Sequence, residues 1–202
     1  LFSGGMRQRA AISMALLMNP SLLIADEPTT ALDVTMEAQI IHLLLELKRE
    51  FRGTVMFVSH NLGLIAELCD DVVVMYAGRA VEKAPVDSIF SSPMHPYTQA
   101  LMQAIPVPQP GRQRERKLLS GDIPSPLNPP TGCHLHTRCA YAQPRCAQQA
   151  PTLQGDARQS AACHFPLQPV QAIKLQGDGI DPRQDRLAKL LTAFSAQKAA
   201  AN

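Results

Sequence analysis

Apolar positions along the first ninety residues follow two rhythms. Ser3-Gly4-Gly5 opens a stretch of helical spacing in which Ile12, Ala15 and Leu16 share a face and Pro20 marks the end. Ser21-Leu22-Leu23-Ile24-Ala25 is a short unbroken apolar run, the pattern of a parallel strand buried on both faces. A second helix is predicted after Asp33, with Met36, Ile40, Leu44 and Leu47 on one stripe and Gly53 closing it. Residues 54–58 repeat the buried-strand pattern, and Asn61 then caps a short helix carrying Leu62, Ile65 and Ala66. Residues 72–76 and 79–82 read as two strands joined by a tight turn at Ala77-Gly78. Strand–helix alternation of this kind predicts an α/β fold with a mostly parallel sheet.

Beyond Ser92 the rhythm breaks. Residues 95–101 read as a helix start with Pro96 in its first turn. Pro106, Pro108 and Pro110 then forbid regular structure. The expected organisation is an α/β segment over 1–92, a Pro-rich connector over 93–132, basic from 111 on, a Cys-rich module over 133–166, and a flexible tail over 167–202. In that tail Leu187, Leu190, Leu191 and Phe194 are spaced for a turn or two of amphipathic helix.

Composition sharpens the division. Of 17 Pro, 14 follow Ser92, as do four of the five Cys. Seven Lys/Arg against eleven Asp/Glu give residues 1–92 a charge of −4, and twelve against six give residues 93–202 a charge of +6. At 46% hydrophobic and 18% charged, the 202 residues are those of a foldable globular chain. The net charge of +2 is too small to argue for nucleic acid or an anionic membrane. No stretch approaches the roughly 18 uninterrupted apolar residues of a membrane span. No signal peptide is visible and the chain starts with Leu1, so the Cys read as cytosolic thiols or metal ligands rather than a disulfide framework.

Four features of the first half carry chemistry. Ser3-Gly4-Gly5 at a helix start lets backbone N–H groups approach an anion, although alone it is an ordinary Ser cap with two glycines. Residues 22–27 are an apolar strand ending in Asp26 and Glu27, at the carboxyl edge where ligands of open α/β sheets sit. Asp26 is a candidate for Mg²⁺ and Glu27 for a general base, against the plain alternative of a solvated strand end. Asp33, in Thr30-Ala31-Leu32-Asp33, either caps the next helix or faces a partner subunit. His60 ends the next strand, on the same edge as Asp26 and Glu27.

In order and spacing these features resemble the nucleotide-binding subunit of ATP-binding cassette transporters over residues 1 to about 85. Ser3-Gly4-Gly5 is similar to the signature loop, with Phe2 where Leu is usual and Met6 where Gln is common. Residues 22–27 are similar to the Walker B strand, Thr30-Ala31-Leu32-Asp33 to the D-loop, and His60 to the switch histidine. The resemblance implies that Asp26 serves Mg²⁺, Glu27 activates the attacking water and His60 senses the γ-phosphate. It implies also that Ser3, Gly4 and Gly5 bind ATP held on an opposite subunit, with Asp33 at the dimer interface. A P-loop needs a Gly-Lys pair, and these 202 residues contain none. They therefore read as the C-terminal part of such a P-loop NTPase domain, truncated in record or gene, and are expected not to hydrolyse ATP alone.

Cys133, Cys139, Cys146 and Cys163 match neither zinc-ribbon nor ferredoxin spacing. Four Cys in a Pro-rich stretch with little apolar material suggest a metal centre in place of a core. By spacing alone an iron–sulfur cluster, structural zinc and reduced thiols stay open. His134, His136 and His164 lie beside them as possible substitutes, and Cys69 reads as a small buried residue. Residues 95–101, then 124–133 (Pro-Ser-Pro-Leu-Asn-Pro-Pro-Thr-Gly-Cys), then Arg138-Cys139 and Arg145-Cys146 resemble the C-terminal extension of oligopeptide/dipeptide permease ATPases, with Ala140 where Pro is usual. That resemblance implies a four-iron, four-sulfur cluster on the four Cys, with Zn²⁺ as the alternative. It implies a peptide-importing ATPase using ATP and Mg²⁺, paired with a second ATPase subunit under two membrane permease subunits, and indirectly with a peptide-binding protein. Such a subunit is peripheral, on the cytoplasmic face of the plasma membrane. Two other readings stay open: a soluble cassette ATPase not linked to transport, and an inactive fragment with only a metal-binding tail.

Overall fold

The structure is a computed structural model that describes residues 4–30, 32–104, 119, 121–125 and 127–168. Ser3, the 106–110 prolines and the amphipathic stretch expected around Leu187–Phe194 lie outside the described residues. The chain divides into two units between Cys69 and Asp70.

The first unit comprises α1 (Gly4–Leu16), β1 (Leu22–Asp26), α2 (Val34–Glu50), β2 (Thr54–Val58) and α3 (Leu62–Leu68). Asp33 caps α2, its carboxylate accepting from the Met36 N–H at 2.8 Å, a contact worth about 1 kcal/mol. Lys48 and Arg49 in the last turn complement the helix dipole. Asn61 caps α3, accepting from the N–H groups of Gly63 and Leu64. β1 and β2 pair in parallel, Leu22 opposite Thr54 and Asp26 opposite Val58. The α2 stripe packs as its spacing predicts: Ile40 and Leu44 meet Leu64 and Leu68 in the core, joined by Ile12, Leu47 and Phe57.

Two expectations change here. Leu23, Ala25, Val55 and Phe57 turn inward, but Leu22, Ile24, Met56 and Val58 are 45–56% exposed. Apolar runs encode burial on both faces, and within this unit only one face of the strand pair is covered. On α1, Ile12 reaches the core whereas Ala15 is exposed, because only one side of that helix meets α2.

The second unit comprises β3 (Asp71–Tyr76), β4 (Arg79–Pro85), α4 (Val86–Ser91), α5 (Pro96–Ala104), α6 (Pro144–Gln148), β5 (Gln154–Gly155) and β6 (Ser160–Ala161). β3 and β4 form the expected hairpin, antiparallel rather than parallel, with Ala77 and Gly78 at φ +45° and +76° as a two-residue turn of this hand requires. The sheet order is β3-β4-β6-β5, so the Cys-rich segment contributes strands to the hairpin's sheet. Its Leu135 is buried with Val74, Tyr76, Val81 and Ile89, and the Tyr76 and Tyr97 rings meet at 4.7 Å. The Cys-rich segment therefore does not lack an apolar core, as its composition suggested; it shares that of the hairpin.

Candidate functional site

Because β1 and β2 are parallel, both deliver their carboxyl ends to one edge. Asp26 ends β1 and is exposed. Glu27 follows, its N–H donating to the Val58 carbonyl at 2.8 Å. Its φ of +47° is left-handed backbone, a strain of about 1–2 kcal/mol for a residue with a Cβ. Buried Pro28 and the Thr30 N–H, which donates to the Glu27 carbonyl at 3.1 Å, hold that turn.

Two side chains meet the Glu27 carboxylate. His60 Nδ1 lies 2.7 Å from Oε1, and Thr30 Oγ1 donates to Oε2 at 2.7 Å. His60, and secondarily Thr30, hold the Glu27 carboxyl below the usual carboxylate range. The His60 side chain is 79% exposed, so the edge is open to a ligand from solvent. The structure thus brings Asp26, Glu27 and His60 to one edge. Gly5 packs elsewhere: it is buried, and a Cβ there would overlap the Met36 side chain. Thr30 was visible only as a motif letter; its spacing of three from Glu27, that of a turn, was the available signal.

In the second unit Cys133, Cys139, Cys146 and Cys163 line one pocket, closed by Leu135 and Phe165 among others. Gly132 brings two of them together. At φ +70° a Cβ on it would overlap the backbone of Cys146 and Ala147, and beside it the Cys133 N–H donates to the Cys146 carbonyl at 2.7 Å. Burial raises the Cys133 and Cys139 thiols and pushes Cys163 up to about 11, with the neighbouring thiols adding to each. Thiolates that repel one another across a shared space are suited to a positive centre placed in it. Among the described residues no group of three or more His, Cys, Asp or Glu is placed to hold a single metal ion. The neighbouring histidines are engaged with backbone carbonyls: His134 with Ala77, His136 with Cys133 and His164 with Gln149, at 2.8–3.1 Å. Cys69 is half-buried against the first unit's core and ends α3.

His95 also lines the pocket and is 1% exposed. Burial drives its pKa down to about 4, and its Nδ1 accepts from the Tyr97 N–H at 3.1 Å, so the ring is neutral.

Residues 1–30 match the ABC transporter family, and residues 81–146 match the family described as the oligopeptide/dipeptide transporter C-terminal region. The oligopeptide transport ATP-binding protein OppF of Salmonella typhimurium is 47% identical over 164 residues, 80% of this chain and 49% of that protein. The di/tripeptide transport ATP-binding protein DppF of Pseudomonas aeruginosa is 44% identical over 81% of this chain and 51% of its own length. The dipeptide transport ATP-binding protein DppF of Escherichia coli is 47% identical over 81% and 49%. The chain spans about half the length of these curated relatives. Its two matched segments are thus similar to the ATP-binding cassette ATPases and to the C-terminal region of the oligopeptide/dipeptide transporters. No helix among the described residues is long and apolar enough to cross a membrane.

Proposed function

We propose that this chain forms part of the ATP-hydrolysing, energy-coupling subunit of a bacterial peptide importer. One observation carries the reading: the Glu27–His60 contact at the carboxyl ends of two parallel strands. Glu27 is the general base. It takes the proton of the water whose oxygen bonds to the terminal phosphorus of ATP, as the bond to the bridging oxygen breaks. His60 orients Glu27 through Nδ1 and leaves Nε2 for the terminal phosphate. Asp26, an exposed carboxylate, offers the hard oxygens that Mg²⁺ prefers; that ion neutralises phosphate charge when bound. Ser3, Gly4 and Gly5 serve the γ-phosphate of ATP held on an opposite subunit, and Asp33 faces that subunit while capping α2.

The partners are a second ATPase subunit and two membrane permease subunits, with a peptide-binding protein acting through them; the chain is peripheral on the cytoplasmic side. The names of its relatives, peptide transport ATP-binding proteins, support the link to peptide transport. The Cys133, Cys139, Cys146 and Cys163 pocket is assigned to a four-iron, four-sulfur cluster. What supports this reading is that the four thiols border one space, the donor type that iron–sulfur clusters take. Such a cluster, when bound, cross-links the segments that carry its thiolates.

The test of the importer reading is peptide uptake. Cells lacking the subunit that carries these residues should lose uptake of labelled peptides. The intact subunit should restore it and a His60→Ala version should not. Undiminished uptake without the subunit rejects the transport role. For the pocket, iron and acid-labile sulfide in anaerobically purified protein support the cluster; one equivalent of zinc alone overturns it.

A further inference from the structure

Glu82 is a charged residue in the middle of β4, yet it is 0% exposed. A buried carboxylate survives only with donors around it. Three converge here. The Met94 N–H donates to Oε1 at 2.8 Å, the His95 N–H to Oε2 at 2.9 Å, and Gln159 Nε2 to Oε1 at 3.0 Å. Gln159 Nε2 also donates to the Ser92 carbonyl at 3.0 Å. One side chain thus ties together β4, the turn that starts α5, and the β5–β6 hairpin.

The tie runs on to the pocket. The His95 ring is fixed at Nδ1 by the Tyr97 N–H, and β6 pairs with β4 at Glu82 itself, Glu82 standing opposite Ala161. Ala162 donates its N–H to the Val81 carbonyl at 2.8 Å, one residue before Glu82. Cys163 is the next residue, and His95 and Cys163 line the same pocket. Of the four thiols, Cys163 is the one delivered from the far side of the β5–β6 hairpin, 17 residues after Cys146.

We propose that Glu82 is the positioning residue of the four-cysteine pocket: by anchoring His95 and Gln159 it holds the Ala162–Cys163 segment, and so the Cys163 thiol, at the pocket wall. This rests on the pocket acting as one ligand set, as assigned above, but its geometry exists in the metal-free chain. Glu82 does not line the pocket itself but bonds the backbone of His95, which does. It acts through the His95 backbone, the Gln159 side chain and the β4–β6 pairing.

The experiment reads thiol accessibility in the full chain, reduced and freed of metal. Iodoacetamide labelling at each Cys is followed by mass spectrometry. In Glu82→Ala, labelling at Cys163 should rise about tenfold or more over the unsubstituted chain, the factor implied for local opening by loss of one hydrogen bond to a buried charge. Labelling at Cys133 and Cys146, held together at the Gly132 turn, should change far less. Glu82→Gln, which keeps an acceptor oxygen for the α5 turn but sets an NH₂ group among donors, should fall between. If Glu82→Ala does not fold, Gln159→Ala, which removes one of the three donors, should show the same Cys163-selective rise at smaller amplitude. Uniform rises at all four Cys, or no rise at Cys163 in a folded variant, overturn the proposal. Because labelling is read without metal, failure of the unsubstituted chain to take up iron and sulfide rejects the cluster assignment and leaves this result to stand or fall by itself.

Discussion

The ring of His60 meets the carboxylate of Glu27 at 2.7 Å, across the ends of two strands that pair residue for residue from Leu22–Thr54 to Asp26–Val58. The contact follows from the parallel register: Val58 opposite Asp26 sets His60 and Glu27 just beyond the same edge. His60 is the principal cause of the low Glu27 pKa, and Thr30 the second. Replacing His60 by Ala should therefore raise the Glu27 pKa toward the ordinary carboxylate value, and Thr30→Val should raise it less. A ¹³C NMR titration of the Glu27 carboxyl checks the order. An unchanged titration in His60→Ala would contradict the contact.

Gly132 stands where a side chain has no room. Its φ is +70°, and the atoms a Cβ would overlap are backbone. Gly132→Ala should destabilise the second unit by roughly 1–3 kcal/mol, the range of a strained left-handed residue. It should also separate Cys133 from Cys146, lowering metal uptake. Thermal melting and metal analysis of the variant measure both effects.

The pocket thiols give the metal-free chain an alkaline weakness. The Cys163 pKa rises from 9.0 to about 11 on folding, and Cys133 and Cys139 move the same way. Above pH 9 unfolded thiols ionise while folded ones stay protonated, so the unfolded state gains. Stability should be flat below pH 9 and fall as pH rises toward 11. A bound metal centre takes thiolates and should abolish that fall, and chelation should restore it. Denaturant melts at stepped pH, with and without metal, decide the matter.

Much of the first site was legible because strand ends announce themselves. Asp26, Glu27 and His60 each follow an apolar run, and two runs separated by a helical stripe imply a parallel pair whose ends coincide. Thr30 was less legible because a turn hydroxyl has many possible partners. The exposed faces of Leu22, Ile24, Met56 and Val58 were not legible at all: an apolar run reports the layer a strand prefers, not what covers it. In the second unit, Gln154–Gly155 and Ser160–Ala161 are too short to show a period of two. Glu82 read as an ordinary charge in a strand, because its donors come from Met94, His95 and Gln159, 12 to 77 residues away. The four Cys were legible as a group, while the core they share through Leu135 was not.

The central claim is that Glu27 is the base for ATP hydrolysis. The direct measurement is ATP turnover and ATP binding by a subunit carrying these residues behind a P-loop half, with and without Glu27→Gln. Turnover should fall by about 10²-fold or more, as loss of a general base implies, while nucleotide affinity is retained. Turnover that survives the substitution would contradict that role of Glu27.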